Sequence, residues 1–339
     1  MNQREFYDEV IEAVKRNIPE ELRDELSVGL QEVIKNNDNV LHGVVIRSPE
    51  QHIVPTIYIE ECMEAMPKNA TIDELAGAII GTYVKGLMEA PSVEDLSLEF
   101  EDVKDMLQVQ VVEANRNMDR LKDLIYKPLD EGMVMLAYVV VKENDDGSYR
   151  FALTKSIADS FNYDIDKVFD AAMANSMEKN APVVSDMMSM LMHMGEAGYS
   201  NPLKDDFRIN EGENMYILSN SSGVMGASAL YYPDVKERIA DALGENYYVL
   251  PSSMHEVIIV PESAGIEIEH LRAMVRDANR SVVDSKDVLS DKVFMYDRES
   301  NRLFEPKAPE RSGSERGERE WRSESTKTLR NTRRTCFSD

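Results

Sequence analysis

The chain has 339 residues, 42% of them apolar and 30% charged, with a formal net charge of −25. That mixture describes a folded chain with an acidic surface and excludes general disorder. From Lys307 onward nine bases stand against six acids, a balance of +3, which leaves −28 on residues 1–306. A body so acidic repels phosphate backbones and anionic headgroups, so direct nucleic-acid binding by it is not expected.

Residues 4–16 place Phe6, Val10, Ile11 and Val14 at helical spacing and predict an amphipathic helix. A second helical piece is expected over Glu20 to Leu26. Val40 to Arg47 and Ile53 to Ile59 are rich in β-branched residues and read as a hairpin. Thr71 and Glu74 form a capping box that opens a helix running to about Met88. Leu107 to Val112 fits a strand and Met118 to Ile125 a short helix. Met133 to Val141 is a continuous apolar strand, and the turn Asn144 to Gly147 returns it to Tyr149–Leu153. A helix follows over Ile165 to Met177. Tyr216 to Leu218 and Ala227 to Tyr232 are expected as strands around Ser221-Ser-Gly223. Pro233 to Leu243 reads as a helix with Gly244 as its cap. Tyr247–Leu250 and Val257–Val260 are strands, Ile268 to Ala278 a helix, and Val293–Tyr296 with Arg302–Glu305 a last hairpin.

Helices and strands do not alternate strictly and the strand pairs are hairpins. That predicts an α+β fold with mostly antiparallel sheet. The expected organisation is an N-terminal α+β lobe over 1–130, a C-terminal α+β lobe over 131–306, and a charged tail over 307–339. From Pro309 the tail is rich in Ser, Arg and Glu and is read as disordered and not ancestral to the fold. No apolar run reaches the ~20 residues that cross a bilayer. The charged start, Met1 to Glu9, lacks the apolar stretch of a signal peptide. Cys62 and Cys336 are too few for a disulfide framework or a zinc cluster. A reducing cytoplasm is the expected compartment, and no membrane partner is expected.

Two segments carry the candidate chemistry. In Tyr247-Tyr-Val-Leu-Pro-Ser-Ser-Met-His-Glu-Val257, two strands flank a polar link holding Ser252, Ser253, His255 and Glu256. A serine hydroxyl can be activated by an imidazole that a carboxylate orients, so these four are the catalytic candidates. The competing reading is a turn whose polar groups satisfy main-chain amides. In Ser219-Asn-Ser-Ser-Gly-Val-Met-Gly-Ala-Ser228, small residues let main-chain N–H groups approach an anion. Ser219, Ser221, Ser222, Gly223 and Gly226 are the ligand-binding candidates, against a tight turn between strands. Leu230 stands where a nucleophile elbow needs glycine.

Other signals read as structure. Met187 to Met194 gathers five thioethers and His193, which suits a core or a partner surface better than copper(I). His42 is read as structural, His52 and His270 as solvated, and Asp145-Asp146 as turn chemistry. No metal site and no cofactor is expected.

Val40-Leu-His-Gly43, Pro55-Thr-Ile-Tyr-Ile59, the Ser219–Ser228 segment, Tyr248-Val-Leu-Pro-Ser-Ser-Met-His-Glu-Val257 and Val288-Leu-Ser-Asp291 occur in that order. Together they resemble a domain-of-unknown-function family of cytoplasmic proteins from anaerobic Gram-positive bacteria and their mobile elements. The resemblance spans roughly residues 1–306 and implies an α+β fold with no assigned reaction, ligand or catalytic residue. Three functions are therefore weighed. The first is a non-catalytic binding or accessory protein with a protein or small-molecule partner. The second is a hydrolase built on Ser252 or Ser253 with His255 and Glu256. The third is an acidic charge-mimic inhibitor of a DNA-binding protein.

Overall fold

The computed structural model describes residues 2–49, 54–89, 98–144, 147–187, 214–251 and 253–307. The readings of His52, Asp145-Asp146, Met188 to Met194, Ser252 and the tail from Pro309 fall outside them. The described residues form an α+β fold in three antiparallel sheets.

The first sheet belongs to residues 2–89. Helix α1, Gln3–Asn17, begins at a reciprocal capping box between Asn2 and Glu5. Strand β1, Ser27–Ile34, pairs along its whole length with β2, Val40–Arg47, and β2 pairs with β3, Thr56–Tyr58. Helices α2, Ile59–Glu64, and α3, Ile72–Glu89, follow. The Thr71–Glu74 capping box is present as expected. Val10 and Val14 of α1, Ile79 and Tyr83 of α3, and Val44 and Ile46 of β2 close one core. Each aliphatic side chain so removed from water contributes about 1.5–3 kcal/mol.

Residues 98–306 build a larger core. Helix α4, Phe100–Val103, leads into β4, Leu107–Glu113. Strand β4 pairs with β6, Met133–Asn144, which also pairs with β5, Tyr126–Pro128, and β7, Gly147–Ala152. Helix α5 is Lys155–Ser160 and α6 is Ile165–Lys179. A six-stranded sheet runs β13-β12-β10-β11-β9-β8. Its strands are β8, Pro182–Asp186, β9, Tyr216–Asn220, β10, Tyr247–Leu250, β11, Val257–Pro261, β12, Phe294–Asp297, and β13, Arg302–Phe304. Val109, Val111, Met135 and Ala137 from one face of the β4–β7 sheet share a core with Phe169 of α6 and with Leu218, Val249 and Ile259 of the six-stranded sheet. Leu271 and Val275 of the helix Ile268–Ser281 form a separate core with Leu250, Val260 and Val293.

Three expectations change. The lobe boundary placed at 130/131 runs through a sheet, because β4 pairs with β6 over seven residues. The cores instead divide the chain between α3 and α4. The strand expected over Ala227 to Tyr232 is a 3₁₀ turn, Gly226–Tyr231, entered through Met225 at φ 53°. Ser228 Oγ in that turn accepts from Val111 N–H at 3.1 Å, so the segment caps β4 instead of joining a ladder. The helical pieces after Pro19 and at Met118 shrink to single 3₁₀ turns, Glu20–Leu22 and Arg120–Lys122.

The β1–β2 turn ties the two lobes together. Asn37 and Asp38 adopt positive φ, which short polar side chains tolerate best after glycine. Asn37 Nδ2 donates to the carbonyls of Ser285 and Val288, each at 2.8 Å, and Asn36 Nδ2 donates to Lys286 O at 2.8 Å. Asp38 accepts from the main-chain N–H groups of Asp119 and Arg120 at 3.0 and 2.9 Å.

Candidate functional site

The two segments singled out in the sequence meet. Ser219 Oγ donates to His255 O at 2.7 Å, and Ala227 N–H donates to Met254 O at 3.2 Å. Gly226 fits beneath them: a Cβ there would stand 2.1 Å from Ser219 Oγ and 2.4 Å from His255 O. His255 Nδ1 accepts from Met225 N–H at 3.4 Å, and Nε2 lies 3.6 Å from Asp287. Ser253 is 5% exposed, bridges to Val288, and its Oγ accepts from the His255 main-chain N–H at 3.0 Å. The imidazole therefore faces a main-chain amide and Asp287, not Ser253 Oγ or Glu256. Ser222 donates to Asn220 Oδ1 through both its N–H and its hydroxyl, and Gly223 supplies φ 69° for the same turn. Ser221 N–H donates to Ala181 O. Every described candidate except Glu256 is thus engaged in a turn or in the joint between the segments.

That joint forms part of the floor of a cleft of about 1080 Å3 between the lobes, which Met225, Met254 and Asp287 help to line. Register sets the walls. On one side stand Gln31, Leu41, Thr56 and Tyr58, from the face of the first sheet turned away from its helices. On the other stand Gln110, Tyr138, Arg150 and Ala152, from the face of the β4–β7 sheet turned away from the main core. Both faces carry polar groups where a packed sandwich would carry only apolar ones, so the sheets do not close on each other.

Four cations line the cleft, Lys35, Arg120, Arg150 and Lys286, the last 3.7 Å from Asp284, beside the carboxylates of Glu32, Glu60, Glu61, Glu64, Asp123, Asp284 and Asp287. Arg120 is only 9% exposed, and its guanidinium donates to Tyr138 Oη and, at 3.4 Å, to Asn117 Oδ1. No carboxylate among the described residues lies within ion-pairing distance of that guanidinium. Arg150 lies 5.4 Å above the Tyr138 ring, and Lys35 Nζ lies 4.2 Å above the Tyr58 ring. Burial pulls the Lys35 ammonium below its ordinary pKa; Glu61 opposes this, while Arg120 and Arg150 push it further down. Burial, then the charge of Glu61, pushes the Tyr58 hydroxyl up to about 12. Gln110 is 2% exposed, its Nε2 contacts Met254 Sδ at 3.7 Å, and its Oε1 has no hydrogen-bond partner among the described residues. Gln110 also lines a polar chamber of about 20 Å3 with Asn180, Asn220 and Tyr232, large enough for a water molecule.

At the rim, Glu60 accepts from Tyr7 Oη at 3.0 Å and from the His42 N–H at 3.0 Å, and lies 2.7 Å from His42 Nδ1. Tyr7 and His42 stack at 3.9 Å. Burial raises the Glu60 carboxyl, but the bonds from His42 and Tyr7 outweigh it and the net shift is downward. A depressed folded value means that the stabilisation is full above the ordinary 4.5 and is lost as pH falls through the folded value. Glu60→Gln should therefore cost about 1–2 kcal/mol at neutral pH. The difference from the parent should vanish in acid, as read by urea unfolding across pH; a cost that persists below the folded value would refute the assignment.

None of the cleft cations was singled out in the sequence. The available signal was the alternation of Gln108 and Gln110 with apolar residues in β4, which marks one polar face on a buried strand. Among the described residues no three His, Cys, Asp or Glu side chains are arranged to hold a metal ion. No helix among them is long and apolar enough to cross a membrane.

A family model described as a family of unknown function, DUF5688, matches residues 5–298. The chain belongs to that family. The DUF5688 match takes in both lobes, the turn that ties them and all four cleft cations, while the charged tail lies outside it. No curated protein and no solved structure matches the chain.

Proposed function

We propose that this chain is a binding protein without catalysis of its own, whose ligand sits between the two lobes. One observation carries the reading: a cleft of about 1080 Å3 holds Arg120, buried with no carboxylate among the described residues beside its guanidinium, and Gln110, buried with a carbonyl oxygen that has no partner among them. Buried polar groups in native folds are satisfied by protein, water or ligand, and both of these face a cleft in which a ligand can meet them. The acidic body and the carboxylates at the rim favour a small molecule over nucleic acid. The charged, cysteine-poor composition and the sequence resemblance support a cytoplasmic setting in an anaerobic Gram-positive bacterium, near mobile elements.

A fragment screen by saturation-transfer NMR on the full chain tests the cleft. Fragments should bind the parent and lose their signal in Ala152→Trp, which fills one wall. Hits that bind both proteins equally would place the ligand elsewhere. For the absence of catalysis, the parent and His255→Ala should hydrolyse p-nitrophenyl acetate at the same background rate. Turnover that disappears with the imidazole would establish the hydrolase instead.

A further inference from the structure

We propose that β1 is a dimerisation edge, which pairs antiparallel with β1 of a second copy of this chain across a twofold axis at Gln31 and joins the two three-stranded sheets edge to edge. Such a dimer does not depend on what the cleft binds.

The direction of the main chain decides which groups are free. His42 N–H turns away from β1 and donates to Glu60 at 3.0 Å. Residues directly opposite in an antiparallel pair exchange both bonds or neither. Glu32 stands opposite His42, so its N–H and C=O also turn away from β2, toward the edge. By alternation those of Val28, Leu30 and Ile34 do the same. None of these main-chain groups has a hydrogen-bond partner among the described residues. The strand is also bare. It runs eight residues, Ser27–Ile34, with a single charge at Glu32, no proline and no register shift against β2. Leu30 is 39% and Ile34 37% exposed. Native sheets guard their edges against pairing, and the other edges among the described residues are guarded. Strands β3, β5 and β13 are three residues long. Proline opens β8, a register shift separates β7 from β6, and the hydroxyls of Ser176 and Ser228 accept from the amides of Val109 and Val111 in β4. One long open edge in a molecule that covers the rest is suited to receive a strand.

The sequence of β1 fits itself. With Gln31 on the axis, Val28 stands opposite the partner's Ile34 and Leu30 opposite the partner's Glu32, so every outward group of both strands is paired. Moving the axis to Leu30 leaves Ile34 outside the ladder. Moving it to Glu32 leaves Val28 outside and sets Glu32 against the partner's Glu32, where like charges oppose each other. The pairing is isologous, the usual form of a homodimer. On the other face of the sheet Gln31 and Val33 line the cleft. The partner's Gln31 therefore joins the cleft wall, and two clefts open side by side. Residues 1–306 carry −28, so two copies repel until salt screens them. One strand pair also buries less than the roughly 1,600 Å2 of a standard interface, so the association is weak.

Sedimentation equilibrium on the full chain over about 1–500 μM tests the dimer. A monomer–dimer equilibrium with a Kd of about 10–100 μM should appear, and should tighten between about 0.05 and 0.5 M salt. Leu30→Glu sets a like charge opposite the partner's Glu32 on both sides of the axis and should weaken association at least about tenfold. Leu30→Glu/Glu32→Lys turns each clash into an ion pair and should restore it. Oxidation checks the register. In Gln31→Cys the two thiols face each other at a Cα separation of about 4.5 Å and should form an intermolecular disulfide. In Gly29→Cys they stand about 13 Å apart and should not. The parent, with Cys62 and Cys336, sets the background. Melting temperatures should stay near the parent's, because these positions are exposed. The dimer is overturned if the chain stays monomeric at about 500 μM, which leaves the edge to a strand from another protein. It is also overturned if Leu30→Glu associates as tightly as the parent, if the double variant stays as weak as the single, or if Gly29→Cys cross-links as readily as Gln31→Cys. Association that weakens with salt would place the contact between charged surfaces elsewhere and overturns it too.

Discussion

Gly226→Ala should destabilise the chain by about 3 kcal/mol or more, near the upper end of overpacking costs. The added Cβ would lie 2.1 Å from Ser219 Oγ, 2.4 Å from His255 O and 2.8 Å from Asn220 N. A hydroxyl can rotate away, but two of these three atoms are main chain. They belong to β9 and to the link between β10 and β11, which lie in the largest core. Removing the hydroxyl in Ser219→Gly/Gly226→Ala should restore little, since the carbonyl of His255 stays where it is. Urea denaturation of the single and double variants reads the effect as a shift in midpoint. A double variant as stable as the parent would show that the hydroxyl alone set the close approach, and a single variant within about 0.5 kcal/mol of the parent would show that the joint yields.

The second large effect belongs to the turn between β1 and β2. Asn37→Ala removes two donated hydrogen bonds, to Ser285 O and Val288 O, and the bond that Asn37 Oδ1 accepts from Arg116 Nε at 3.3 Å. It also puts an alanine at φ 60°. Three lost bonds of about 1 kcal/mol each and about 1 kcal/mol of backbone strain sum to about 4 kcal/mol. The loss falls on the connection between lobes and not on either core. Calorimetry should therefore show the parent's single transition broaden or split as residues 2–89 and 98–307 melt apart. Asn37→Gly should retain the backbone geometry, lose the same bonds and fall between the two. A variant that melts in one sharp step at the parent temperature would remove the turn from any role in holding the lobes.

The elements most legible in the sequence were those whose burial pattern matches one period. Helix α1 shows its apolar stripe, β6 its unbroken apolar run, and α3 its capping box. Strand β1 escaped because it is exposed along nearly its whole length, Glu32 interrupts the face shared by Val28, Leu30 and Ile34, and Gly29 weakens the other. Gly226 to Tyr231 was read as a strand from its small and apolar residues, since composition does not reveal that Ser228 is spent on the amide of Val111. For the site, the sequence picked out both segments that meet at His255. It could not show that they meet, nor that Asp287 is the carboxylate beside the ring. The cleft cations were further from reach. Lys35 follows an edge strand, Arg120 sits in a 3₁₀ turn and Arg150 on a hairpin arm, and nothing local marks any of them until the two sheets face each other.

Asp38 belongs to one lobe and grips the main chain of Arg120 in the other. On the proposed binding at Arg120, the residue that meets the ligand has its main chain held by the same carboxylate that joins the two lobes. Prising those lobes apart would swing its guanidinium off its mark even while the walls stayed close. Grip and closure therefore draw on a single free energy: whatever seats itself at Arg120 stiffens the joint by as much as the joint sharpens the hold.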